Sequence, residues 1–128
     1  MIYLDASVAL ANVFVEDRTP PARLWNERLI SSRLLQYEVW TRIHARSANA
    51  THGDAARAVL NQVALIELAP PVLERALNPF PRPVRTLDAL HLATIEFIRA
   101  QGQSVELATY DEQMLDGARA LRIPLFKV

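Results

Sequence analysis

Short apolar runs alternate along this chain with longer segments whose apolar positions recur at helical spacing, which predicts an α/β fold. The first run, Met1 to Leu4, is wholly apolar, as expected of a parallel strand covered on both faces. The 128 residues are 51% hydrophobic, with no repeat, low-complexity segment or linker to divide them. Together these observations predict one domain spanning residues 1–128, with a mostly parallel central sheet and helices on both faces.

Taken in order, Met1 to Leu4 reads as a strand and Ser7 to Val15 as a short helix. Pro20-Pro21 opens a helix through about Leu29, since proline is tolerated in a first helical turn. Ile30 to Ser32 is a brief strand. From Leu34 to about Asn49 the positions Leu35, Val39 and Ile43 recur at helical spacing, with Trp40 beside them. Gly53-Asp54 restarts the pattern, with Asp54 as the expected cap of a helix over Ala55 to Val63. Ala64 to Ala69 is a strand stopped by Pro70-Pro71, and Val72 to Leu77 a short helix. Asn78 to Pro83 is a loop, because no helix or central strand tolerates its proline density. Thr86 is the expected cap of a long helix from Leu87 to Ala100, ended by Gly102. Val105 to Thr109 is a strand, Glu112 to Leu121 a helix, and Leu125 to Val128 a final strand.

Composition narrows the function classes. The absence of cysteine removes disulfide frameworks and thiolate metal sites and agrees with a cytoplasmic location. Charge interrupts every apolar stretch before the roughly 18 residues that a membrane span needs. The first residues lack the basic region of a signal peptide and read as the first strand. Net charge is zero, so no global field advertises a nucleic-acid partner. Lys127 is the only lysine, and the remaining basic residues are arginines, whose forks match phosphate geometry. An arginine-biased genome gives the same count.

Four acids stand where a metal-dependent site needs them. Asp5 and Asp111 follow the first strand and the late strand, while Glu38 and Asp88 lie early in two long helices. Strand C-termini and the helix N-termini that follow them gather along one edge of an open parallel sheet. Carboxylates converging there repel one another unless a cation joins them, and oxygen ligands suit a hard divalent ion. Three of the four acids have a structural alternative. Asp5 and Asp111 are also N-cap candidates, and Glu38 favours a helix dipole wherever it sits in the first turns. Ser7 is either a helix cap or a hydrogen-bond partner of Asp5, and Thr109 is placed to fix a carboxylate rotamer. His91 shares a helical face with Asp88 at i, i+3 and is expected to orient the pocket rather than to ligate. Arg82 and Arg85 flank the proline-rich loop before Asp88, and Arg42 and Arg46 extend the helix of Glu38. These four arginines are candidates to guide a phosphate backbone or simply solvated charges.

The joint order carries more than its parts. Ile2-Tyr3-Leu4-Asp5-Ala6-Ser7, Ser32 through Glu38, Leu87-Asp88-Ala89-Leu90-His91-Leu92-Ala93 and Thr109-Tyr110-Asp111 together resemble the PIN-domain ribonucleases. In length and order the chain is similar to the VapC-type toxins of toxin–antitoxin pairs. That resemblance covers the whole chain and matches Asp5, Glu38, Asp88 and Asp111 to the family's acidic quartet. It matches Ser7 and Thr109 to the accessory hydroxyls; the fourth acid varies in the family. It implies hydrolysis of single-stranded RNA with Mg²⁺, or Mn²⁺ as substitute, by a water that the cation activates. Asp5 and Asp88 would ligate directly, and Glu38 and Asp111 directly or through water. It also implies a homodimer and an antitoxin protein whose extended segment covers the pocket. Two other readings remain: a non-catalytic module binding a partner or RNA, and a phosphoryl-transfer receiver or phosphatase. The latter usually needs a second acid in the first loop and a lysine at the site, neither of which this chain supplies.

Overall fold

The computed structural model describes all 128 residues. Four parallel strands form one sheet: β1 (Ile2–Leu4), β2 (Leu29–Ser32), β3 (Val63–Ile66) and β4 (Glu106–Ala108), in the order β3-β2-β1-β4. The helices are α1 (Ala6–Phe14), α2 (Leu34–Ala45), α3 (Asn49–Leu60), α4 (Pro70–Ala76), α5 (Thr86–Ala100) and α6 (Glu112–Ala120). The chain runs outward from β1 through β2 to β3, then returns to place β4 on the other side of β1. The switch of direction therefore falls between β1 and β4, where ligands of open α/β sheets bind.

Pleating divides the core. Ile2 and Leu4 face a layer with Val8 of α1, Leu35 and Val39 of α2, and Val59 of α3. Tyr3, between them in β1, faces the opposite layer with Leu92 and Ile95 of α5 and Met114 of α6. Helices thus cover both faces, as the apolar first strand predicts. Gly117 brings α6 close against α5: a Cβ there would lie 2.9 Å from the Leu92 side chain. Gly102 ends α5 with φ 86°, a left-handed conformation that costs glycine little.

Several boundaries differ from expectation. The segment after Pro20-Pro21 is a short 3-10 helix, Ala22–Asn26, because Leu29 is drawn into β2 to pair with Ile2 and Val63. Helix α3 starts at Asn49, so Asp54 is not a cap but an interior residue paired with Arg57 at 2.6 Å. Its first turn is held by the His52 amide on the Ala48 carbonyl and by the His52 ring against Phe14, centroids 4.8 Å apart. Thr86 lies inside α5, and Arg85 occupies the N-cap position without a side-chain capping bond. The expected last strand is reduced to one parallel bridge, Leu107 to Leu125.

Candidate active site

Asp5, Glu38, Asp88 and Asp111 line one cleft of about 560 Å³ at the C-terminal edge of the sheet. Asp5 ends β1 and caps α1, Glu38 stands in the second turn of α2, Asp88 in the first turn of α5, and Asp111 caps α6. Both readings of Asp5 and Asp111 hold together, since capping occupies particular oxygens and leaves others.

Asp5 is 5% exposed. Its Oδ2 accepts from the Ser7 hydroxyl at 2.6 Å, the Thr109 hydroxyl at 2.8 Å and the Ser7 amide at 3.3 Å. Ser7 Oγ in turn accepts from the Tyr110 amide at 2.9 Å, and Thr109 Oγ1 from the Asp111 amide at 3.0 Å. Ser7 and Thr109 thus tie the end of β1 to the end of β4 through the Asp5 carboxylate, and both match their expected place.

Behind Glu38 lies a hydrogen-bonded chain that reaches into the core. His91, wholly buried, donates from Nε2 to Glu38 Oε1, while its Nδ1 shares a hydrogen bond of 2.7 Å with the Tyr3 hydroxyl, accepting when the ring is neutral and donating when it is charged. The Tyr3 oxygen accepts from the Ser32 amide at 3.1 Å. Burial by itself would lower the imidazole pKa. The Glu38 hydrogen bond and charge, helped by Asp5 and Asp88, outweigh it and raise the pKa above the ordinary value. Burial pushes the Tyr3 hydroxyl far up, so it stays protonated. His91 therefore orients the pocket through Glu38, on another helix, and not through Asp88, the acid that shares its helical face. Tyr3 was not legible as its partner, because a tyrosine in an apolar strand reads as core.

Asp88 and Asp111 are joined by Arg85. Its Nε donates to Asp88 Oδ2 at 2.9 Å and a terminal nitrogen donates to Asp111 Oδ2. Asp111 Oδ1 accepts from the Gln113 and Met114 amides of α6 at 2.9 and 3.2 Å. Burial raises the Asp88 pKa above the usual carboxylate range, with Arg85 pulling against it and Asp111 and Asp5 adding to the rise. For Asp111 burial also raises, but the Arg85 bond and the α6 amides prevail and lower the pKa.

The arginines separate. Arg42 lines the acidic cleft and extends into a neighbouring one with Arg46, whose guanidinium also sits 4.2 Å from the Phe14 ring centroid. Arg82 lies outside the acidic cleft, in an apolar groove with Leu77 and Phe80. Arg85 is not a free guide for a backbone but a partner of two of the acids. Its i, i+3 spacing to Asp88 was a signal for half of that role. Lys127, at the opposite end of the chain from β1, is not among the cleft residues.

As arranged, no three acids are grouped closely enough to hold a metal ion. The donor set nevertheless fits a hard cation. Asp5 Oδ1, Glu38 Oε2 and Asp88 Oδ1 have no protein partner, and no buried side-chain oxygen in the chain is left without one. Those three oxygens therefore open to solvent in the cleft. Magnesium keeps several waters and needs only one or two carboxylates, so a looser cluster suits it.

Comparison with known proteins places this geometry. Residues 2–120 match the PIN domain family model. Ribonuclease VapC46 of Mycobacterium tuberculosis is 32% identical over 123 residues, covering 94% of this chain and 92% of that protein. Ribonuclease VapC47 of the same species is 30% identical over 126 residues, covering 93% and 90%. Among solved structures, a toxin–antitoxin complex from Klebsiella pneumoniae superposes with a TM-score of 0.68 at 18% identity, covering 94% of each chain. Mycobacterium tuberculosis VapC20, a sarcin–ricin loop cleaving toxin, superposes at 0.64 with 21% identity, covering 91% of this chain and 94% of its own. With its fold, its family match and these relatives in agreement, the chain belongs to the PIN-domain family, among the VapC ribonucleases.

Proposed function

We propose that this protein is a metal-dependent endoribonuclease acting in the cytoplasm as the toxin of a toxin–antitoxin pair. The observation that carries the reading is the convergence of Asp5, Glu38, Asp88 and Asp111, from four distant segments, on one cleft at the β1/β4 switch point. The names of the ribonuclease relatives support the activity, and those of the toxin structures support the biological role. A bound Mg²⁺ or Mn²⁺ would activate water and offset the charge developing on a phosphodiester in displacement.

The chain's own residues supply position. Ser7 and Thr109 hold Asp5 Oδ2 and leave Oδ1 turned to the cleft. His91 holds Glu38 Oε1 and leaves Oε2. Asp88 offers Oδ1, and Asp111 becomes available through Oδ2 when Arg85 leaves it. Asp5 and Asp88 would bind the ion directly, and Glu38 and Asp111 directly or through water. Arg42, at the cleft wall, is placed to meet a phosphate.

An open cleft in a chain of zero net charge suits unpaired RNA, whose backbone can bend into it, better than a rigid duplex. A structured RNA offered to the purified protein should be cut in its loop, with little cutting of the same sequence in a perfect duplex. Chelation should stop the reaction and Mn²⁺ restore it; cutting that survives chelation overturns the reading. The toxin role further implies a homodimer and an antitoxin whose segment covers the acids. Expression should arrest growth, and co-expression of the cognate antitoxin should relieve it. Normal growth with soluble, active protein would overturn that role.

A further inference from the structure

The cleft already contains a cation, and it belongs to the chain. Arg85 bridges Asp88 Oδ2 and Asp111 Oδ2, so it neutralises the same two carboxylates that would otherwise meet a metal. The other Asp111 oxygen is committed to two α6 amides, so with Arg85 in place Asp111 has no oxygen left to offer. Asp88 is buried to 8% exposure and its carboxyl is crowded by Asp5 and Asp111, so an ionised Asp88 needs a compensating charge. Arg85 provides it from the outside: its side chain is 59% exposed, at the mouth of the cleft. Nothing else holds it, since it makes no capping bond to α5 and donates only to these two acids. A guanidinium so exposed leaves with little change in its own hydration.

We infer that Arg85 is the resident counter-cation of this site, exchanging with the divalent ion for the carboxylates of Asp88 and Asp111. The inference rests on the metal-dependent reading above and adds an exchange partner inside the chain. Two cations on the same pair of carboxylates would repel each other, so entry of the ion and departure of Arg85 are one event. The displaced guanidinium stays tethered at the cleft mouth by the extended backbone at residue 85, where its donors match a phosphate of the incoming strand. The resting site is thereby kept from self-repulsion without metal.

The test measures metal binding rather than turnover. Free Mn²⁺ is followed by electron paramagnetic resonance during titration of the wild type, Arg85→Ala, Arg85→Lys and Arg57→Ala. The last removes an ion pair of the same i, i+3 type on the surface of α3. Arg85→Ala should bind Mn²⁺ about tenfold more tightly, the scale of one charge-assisted hydrogen bond that no longer has to be broken. Arg85→Lys should fall between, since an ammonium cannot form the planar two-acid bridge, and Arg57→Ala should match the wild type. In the wild type, the Arg85 Nε–H resonance should shift in proportion to Mg²⁺ occupancy as its bond to Asp88 is lost. Equal or weaker Mn²⁺ binding by folded Arg85→Ala overturns the exchange while leaving the metal-dependent reading intact. So does an Arg85 resonance unmoved at saturating Mg²⁺, a measurement that needs no variant. Failure of every form to bind Mn²⁺ overturns both.

Discussion

Asp5 and Glu38 carry the same charge as Asp88 and Asp111 in the same cleft, but the two pairs are restrained by different means. Asp5 is held by two hydroxyls that also join the ends of β1 and β4. Glu38 is held by a wholly buried histidine, itself fixed by a tyrosine of β1. Asp88 depends instead on one exposed arginine, which Asp111 shares while its other oxygen caps α6. The first pair is set when the core packs, because its partners are parts of the core. The second pair is adjustable, because exposed ion pairs contribute little and exchange readily. A site built this way keeps two carboxylates preorganised and lets the other two respond to what enters.

The contrast is broken most severely at Asp5. Asp5→Asn should reduce RNA cleavage by about a thousandfold or more, the scale of losing a central electrostatic group, while circular dichroism stays unchanged. Asp111→Asn should cost far less, about tenfold, because its oxygens are already shared with α6 and Arg85. Equal losses would erase the distinction between the two pairs. Asp88→Asn relieves like-charge crowding, so without metal its melting temperature should hold or rise. Divalent metal should then raise the wild-type melting temperature more than the variant's. Cleavage retained in Asp88→Asn would remove that residue from the site.

The rigid pair makes a stability prediction of its own. His91→Ala strands the Glu38 carboxylate and the buried Tyr3 hydroxyl, and urea unfolding should show a loss of about 3 kcal/mol. The imidazole pKa is raised in the folded state above the ordinary 6.5. Its contribution is therefore complete below pH 6.5 and declines as pH rises through the higher folded value. The stability of metal-free wild type relative to His91→Gln should fall across that window, and a flat difference would show that Glu38 does not hold a charged ring. A smaller effect is expected at the cleft wall. Arg42→Ala should weaken binding to every RNA alike and reduce the salt slope by about one unit, as measured by anisotropy with cleavage blocked. Far from the site, Val15 is 80% exposed and ends α1 with φ 50°, which a β-branched residue adopts at a cost. Val15→Gly should stabilise the fold by about 1 kcal/mol without changing cleavage.

All four acids were legible in the sequence, while the contacts that restrain them were legible only in part. Asp5 and Asp111 announce themselves because each follows an apolar strand, and Glu38 and Asp88 because each opens a helix; parallel topology then brings all four to one edge. Ser7 and Thr109 follow from their spacing to Asp5 and Asp111, whereas His91, spaced from Asp88, bonds Glu38 instead. What stayed hidden depends on contacts that no periodicity encodes. Tyr3 meets His91 across 88 residues, and Arg85 reaches Asp111 only through the path taken by the loop from Asn78 to Pro83. The early start of α3 reflects the packing of His52 on Phe14, which overrides the breaking tendency of Gly53. The last strand shrank to a bridge because Leu125 lies beyond β4, where it has a partner on one side only.

The hydrogen bond between Thr109 and Asp5 spans 104 residues, and it crosses the one junction of the sheet that closes late in the chain. A ribosome adding roughly 5–20 residues per second exposes Asp5 several seconds before β4 exists. Throughout that interval β1 can pair at most with β2 and lacks the neighbour that supplies Thr109, Tyr110 and Asp111. A nascent chain therefore carries its acids without the cleft, and chains stopped before Glu106 should neither bind divalent metal at this site nor cut RNA. The topology acts as a clock: an enzyme directed against RNA becomes competent only after the last strand of its sheet has been made.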